Sequence, residues 1–157
     1  MPTTYRGGCH CGAIRYEIVA EPLFGGQCQC RDCQHESGGG HTSFMAFPAD
    51  AVRLTGPPRY YEVTADSGNR VRRGFCPTCG ASVLSLSSGM PEMTSVPAGS
   101  LDDPSVFEPG FVVYTSRGHA WDRVDPALPS FPQMPPMPAQ PIRPRIVADR
   151  YGSPLEP

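Results

Sequence analysis

Three cysteines fall within six residues in Cys28-Gln29-Cys30-Arg31-Asp32-Cys33, and no other stretch constrains the fold of this chain so tightly. That is more thiols than a disulfide framework could use at that spacing, and it reads as half of a metal site. Side chains alternate along an extended segment, so Cys28 and Cys30 share a face, and a tight turn through Arg31 and Asp32 brings Cys33 back to meet them. Zinc is held as a tetrahedron: closed structural sites use four protein ligands, whereas catalytic ones use three and leave the fourth position to water or substrate. Three local sulfurs therefore predict an open site.

The other four cysteines are Cys9 and Cys11, one residue apart, and Cys76 and Cys79 within Phe75-Cys76-Pro77-Thr78-Cys79-Gly80. Pro77 pre-sets a turn, and Gly80 permits the positive φ that lets backbone amides face the sulfurs, as in a zinc knuckle. Two pairs from distant parts of the chain make one closed four-sulfur site, and with the triad they account for all seven cysteines. Other arrangements stay open at this point. The triad is also compatible with a second closed site completed by His35, His41 or a side chain of a partner. An iron–sulfur cluster normally uses different spacings.

With 157 residues, 39% of them hydrophobic, the chain is long enough for one domain with its own core. Its first residues, Met1 to Gly8, contain no apolar run, and no stretch approaches the roughly 20 apolar residues of a membrane span. An odd cysteine count in C-x-C and C-x-x-C spacings favours thiolate chemistry in a reducing compartment, so the expected location is the cytoplasm. The formal charge is −2, and seven thiolates holding two divalent ions would bring it to about −5. With a pI near 6.0, that excludes a phosphate backbone as the principal partner, because nucleic-acid binders carry a basic face.

Ile14, Tyr16 and Ile18 alternate with Arg15 and Glu17, the period-2 pattern of a half-buried strand. Glu21 to Gly26 reads as a break, and Gln27 to Cys30 as a strand that delivers the triad into a loop or short helical turn. Further strands are expected at Thr42–Pro48, Ala51–Thr55, Arg59–Thr64, Arg70–Phe75, Ala81–Leu86 and Phe111–Thr115, with the knuckle at the tip of a hairpin. A short helix is expected near Leu101–Val106. No long helical period occurs, so the fold class is all-β, built mainly of short antiparallel strands. From Pro126 prolines crowd in, which suggests a zinc-binding domain over residues 1–132 and a proline-rich C-terminal tail over 133–157.

The order C-x-C, C-x-C-x-x-C, C-P-x-C-G in a chain of short strands resembles the glutathione-dependent formaldehyde-activating enzymes and the related centromere protein V domain. The likeness runs from about Gly7 to Pro132. It includes Gly8-Cys9-His10-Cys11-Gly12, the triad, Phe75 to Gly80, Gly99 to Pro104, Ser116-Arg117 and Ala120-Trp121. The resemblance implies an Mss4-like fold, a structural zinc on Cys9, Cys11, Cys76 and Cys79, and a second zinc on Cys28, Cys30 and Cys33. It also implies a carbon–sulfur lyase activity on a glutathione adduct of formaldehyde, with the second zinc beside the thiol. An ion held by three sulfurs is expected to be the more labile of the two. The stretch Gln34 to His41 departs from the usual continuation of the family, which bears on the substrate.

Cys28, Cys30 and Cys33 are thus the expected catalytic residues, as ligands of the open zinc, with His41 as a candidate proton carrier. Arg70, Arg72 and Arg73 could bind the carboxylates of glutathione, although arginines on a solvated strand face are commoner. For His10, Asp32, Glu36 and Trp121 the plain readings are a surface role for the first three and a core or rim position for the tryptophan. A second function from a different class is a non-catalytic zinc module that binds a protein partner, since fold alone does not fix function.

Overall fold

The structure is a computed structural model that describes residue 1 and residues 3–136. The tail expected over 133–157 lies outside the described residues from 137 onward.

The described chain is mostly β, as the sequence predicts. In order it forms β1 (Thr4–Gly8), β2 (Arg15–Val19), β3 (Phe24–Cys28), α1 (Arg31–Ser37), β4 (Thr42–Pro48), β5 (Val52–Thr55) and β6 (Arg59–Thr64). Then follow β7 (Arg70–Phe75), β8 (Ser82–Ser87), β9 (Met93–Pro97), β10 (Val112–Val113) and β11 (Ser130–Phe131). β1, β2 and β5 make a three-stranded sheet, and the remaining strands an eight-stranded one in the order β11-β10-β3-β4-β9-β8-β7-β6. Every pairing is antiparallel except those of β10, which runs parallel to both β3 and β11.

The core lies between the two sheets. Ile14, Tyr16 and Ile18 pack against Phe47, Val52, Val83, Leu84, Val96 and Leu101, and all are buried. Apolar alternation in β2 thus does what it promised, hiding one face while Arg15 and Glu17 stay outside; burying such a side chain is worth roughly 1.5–3 kcal/mol. In β8 Val83 and Leu84 are both buried, because this central strand is covered on both faces. A second, smaller apolar cluster of Cys28, Cys33 and Val113 is flanked by Phe44, Phe111, Tyr114 and Phe131.

Three expectations need correction. The break at Gly25-Gly26 is instead the middle of β3, paired with Met45 and Phe44. The Phe111 ring lies directly over Gly26, where a Cβ would come within 2.5 Å of it, so the glycines make room for aromatic packing within a strand. The short helix expected near Leu101–Val106 is a single 3-10 turn at Pro104–Val106, with a second at Ala98–Ser100 and Leu101 buried between them. The Asp103 carboxylate accepts from Ser105 N at 3.1 Å, which caps one turn that has no apolar face to extend it. Last, β1, β9 and β11 lie where no strand was expected.

Candidate functional site

Each cysteine pair of the four-sulfur cluster sits in its own turn. Cys9 and Cys11 follow β1, with Gly12 at φ 82°; Cys76 and Cys79 join β7 to β8, with Gly80 at φ 76°. The left-handed glycine lets each turn fold back so that amides point at sulfur: Ile14 N donates to Cys9 Sγ at 3.2 Å, and Thr78 N to Cys76 Sγ at 3.4 Å. Cys9 Sγ lies 3.6 Å from Cys11 Sγ, which lies 3.7 Å from Cys76 Sγ. Four sulfurs around one zinc at about 2.3 Å would stand about 3.8 Å apart, whereas a disulfide would need about 2 Å. All four ligand atoms fall within 4.8 Å of one another, so the residues fit the ion.

The triad is built differently. β3 ends at Cys28, Cys30 is the N-cap of α1 with its Sγ accepting from Cys33 N at 3.4 Å, and Cys33 lies in the first helical turn. Asp32 in that turn favours the positive helix end, and Gly38 closes the helix in the left-handed region. The expected turn through Arg31 and Asp32 is therefore helical. The three sulfurs also lie within 4.8 Å of one another, and among the described residues no histidine or carboxylate joins their cluster. His35 instead accepts from Arg31.

Polar contacts fix this arrangement from behind. Gln34, buried in α1, donates to the carbonyls of Gln29 at 2.8 Å and Arg117 at 2.9 Å, and Thr42 donates to the Cys33 carbonyl at 3.0 Å. Arg73 on β7 points its guanidinium at Cys33 Sγ, 3.8 Å away, and pairs with Glu36 of α1. Contacts within the triad split its acidities. Hydrogen bonds from Cys28 and Cys33 hold Cys30 well below the usual thiol range, whereas its bonds to Cys30 and Cys33 and its burial push Cys28 up.

The triad opens into a cleft of about 920 Å³ on the face of the large sheet turned away from the core. A row of paired residues, Arg73 with Ser85 and Ser85 with Ser95, crosses its floor. Tyr114 lines it beside the triad and is the one non-glycine residue described with positive φ, at 58°. Strain of that kind persists only where the surroundings impose it.

The sequence-derived candidates divide accordingly. Arg73 reaches the triad; Arg70 and Arg72 pair instead with Glu62, and Arg72 also stacks on Tyr60. Glu36 is not solvated but bound to Arg73 and Ser82. His41 is not among the residues lining the cleft: its Nδ1 donates to Asp122 at 2.8 Å and its Nε2 accepts from Gln27 at 3.2 Å. Trp121 is not in the core, being 68% exposed and stacked on His119. His10 is exposed. Gln34, Tyr114 and Asp122 were missed, and nothing in the sequence near them signals a role.

An all-β scaffold gathering seven cysteines into one four-sulfur and one three-sulfur cluster defines a protein with two candidate metal centres. Residues 4–117 match the family model described as glutathione-dependent formaldehyde-activating enzyme, and the chain belongs to that family. It is 28% identical over 101 residues to a Halomonas elongata protein named "Putative glutathione-dependent formaldehyde-activating enzyme". That match covers 61% of this chain and spans 64% of the relative's length. The fold is similar to a crystal structure of a Rhodobacter sphaeroides protein, with a TM-score of 0.52 at 18% identity, covering 80% of this chain and 98% of that one. Among the described residues no helix is long and apolar enough to cross a membrane.

Proposed function

We propose that this chain is a zinc-dependent, cytoplasmic enzyme of the carbon–sulfur lyase type that joins a glutathione-like thiol to formaldehyde or another small aldehyde. The observation that carries the reading is a three-sulfur cluster with no fourth protein ligand among the described residues, opening into a cleft. A closed structural site would have its fourth donor from the chain.

Cys9, Cys11, Cys76 and Cys79 would hold a structural zinc, and Cys28, Cys30 and Cys33 a second ion. The second ion supplies a position for one more sulfur and lowers the pKa of the thiol that takes it. The chain's residues do the rest. Gln34 and Thr42 hold the backbone of the triad, so the three sulfurs do not spread when a fourth arrives. Arg73 sets a positive charge against thiolates that would otherwise repel an incoming one. Ser85, Ser95 and Tyr114 line the cleft with hydroxyl groups within which an aldehyde oxygen can be oriented. The reaction is an addition without oxidant: the thiol gives up its proton, its sulfur electron pair closes the carbon–sulfur bond, and the carbonyl oxygen takes up a proton. The lyase direction is the reverse.

The test is Cys30→Ala in the full chain. Bound zinc should fall from two ions to one, the fold should stay intact by circular dichroism, and thiol-dependent loss of formaldehyde should disappear. Persistent turnover overturns the reading. Two ions held equally tightly in the wild type, with no thiol chemistry, would mark the protein as a partner-binding zinc module instead.

A further inference from the structure

The charges in the cleft do not suit glutathione. At neutral pH glutathione carries two carboxylates and one ammonium, and its thiolate adds a further negative charge. A site made for it needs guanidinium or ammonium groups free to meet the carboxylates. Three arginines line the cleft. Arg73 is already matched by Glu36, both of them nearly buried with 16% and 11% of their side chains exposed, and Arg117 faces Asp66 at 3.4 Å. Arg31 donates to Gln34 and His35 and pairs with no carboxylate among the described residues.

Against this single uncompensated cation stand three carboxylates of the same lining, Asp32, Asp50 and Glu92, none with a cationic partner among the described residues. Glu92 is the most telling, because its Oε1 is buried with no hydrogen-bond donor beside it. A buried polar atom left unpaired is destabilising, and a ligand that brings a donor removes that cost. An ion held by three thiolates adds a further net negative charge. The same lining is also strongly apolar, with Phe24, Phe44, Met90 and Met93 among its residues. Methionines there adapt to irregular apolar shapes.

We propose that the thiol this cleft accepts has a body with no net negative charge, apolar along the methionine wall and ending in an ammonium or amide donor that meets Glu92 and Asp50. This inference rests on the thiol-addition reading above and corrects its substrate.

The experiment uses the full chain loaded with cobalt(II) at the triad, where sulfur coordination is seen as a change in the visible spectrum, and titrates it with glutathione and with glutathione diethyl ester. The ester keeps the thiol and the ammonium and loses both carboxylates. It should bind at least about tenfold more tightly than glutathione at low salt, since carboxylates brought close to like charges weaken binding. The preference should shrink as salt screens it. In the double variant D50N/E92Q, which leaves every cysteine in place, the preference should fall to below about threefold.

Equal binding of the two thiols overturns the proposal, as does a preference unchanged by the double variant, or the lack of a spectral change with either thiol. Formaldehyde consumption measured on the zinc-loaded protein separates the two claims. Ester preference without turnover sinks the lyase reading and keeps the thiol class, while turnover with glutathione preferred does the opposite.

Discussion

Ser82 Oγ donates to Glu36 Oε1 at 2.7 Å, and so ties the helix that carries Cys33 to the strand that leaves the Cys76–Cys79 turn. The other carboxylate oxygen takes Arg73 from the neighbouring strand. A single acidic side chain thus joins the two cysteine clusters through the sheet.

Glu36→Ala should destabilise the chain by about 3 kcal/mol, because it leaves the Arg73 guanidinium buried without its counter-charge. Ser82→Ala removes one hydrogen bond and should cost about 1 kcal/mol. Urea denaturation of the single variants and the double variant checks both figures. The pair should be non-additive, since the serine has nothing to bind once the carboxylate is gone.

Cys76→Ser should remove the four-sulfur metal site and unfold the domain, since an ion held there would join the β1–β2 turn to the β7–β8 turn and its binding energy would be folding energy. Zinc analysis and circular dichroism should report loss of metal and of β structure together. A folded, one-zinc Cys76→Ser protein would show that the core alone suffices.

Gly7→Ala should cost about 1–3 kcal/mol. A Cβ there would come within 2.3 Å of the Tyr16 hydroxyl and 2.4 Å of the Ser100 carbonyl, neither free to move because Tyr16 and Ser100 bond each other at 2.8 Å in the wall of the core. At Gly99 nothing lies within 4 Å of the same added atom. Gly99→Ala should be neutral to within about 0.5 kcal/mol, and urea denaturation of both variants beside the wild type checks the contrast.

Asp122 gives a pH signature. Burial pushes its carboxyl up, but hydrogen bonds from Gln29 at 3.0 Å and from His41 outweigh this and hold it below the usual carboxylate range. A carboxyl more acidic folded than unfolded stabilises the fold fully above the unfolded value, about 3.9, and that contribution is lost as pH falls through the folded value. The stability difference between wild type and Asp122→Asn, followed by urea denaturation from pH 5 downward, should therefore narrow below pH 4. Reading the difference cancels the protonation of cysteine ligands that acid brings to both proteins.

Much of this was legible in the residues. Seven sulfurs at those spacings and the alternation of β2 each have one economical solution, so the two clusters and the all-β class follow from local chemistry. What was hidden depends on partners far along the chain. Arg73 was one of three similar arginines, and only the register of β7 against β8, opposite the helix, turns it toward Cys33. Glu36 looked solvated because its partners, Arg73 and Ser82, are 37 and 46 residues away. β9 was invisible because Met93 to Pro97 has neither a strong alternation nor a turn signal of its own, and it pairs because Ala46 and Ser85 flank it. The triad's helix is too short for periodicity to reveal; its marks were the capping sulfur and Gly38.

The parallel pairing of β11 with β10 sets how short a working version of this protein can be. Val112 and Val113 are wholly enclosed, and Val112 N donates to the Pro129 carbonyl at 2.9 Å. The stretch that matches the family model stops at residue 117, well before the segment that closes this sheet margin. A truncation there would strip the rim beside Cys28 and leave a raw apolar strand in water, where it would seek a second molecule to pair with. Two residues flanked by prolines thus act as the selvedge of the sheet.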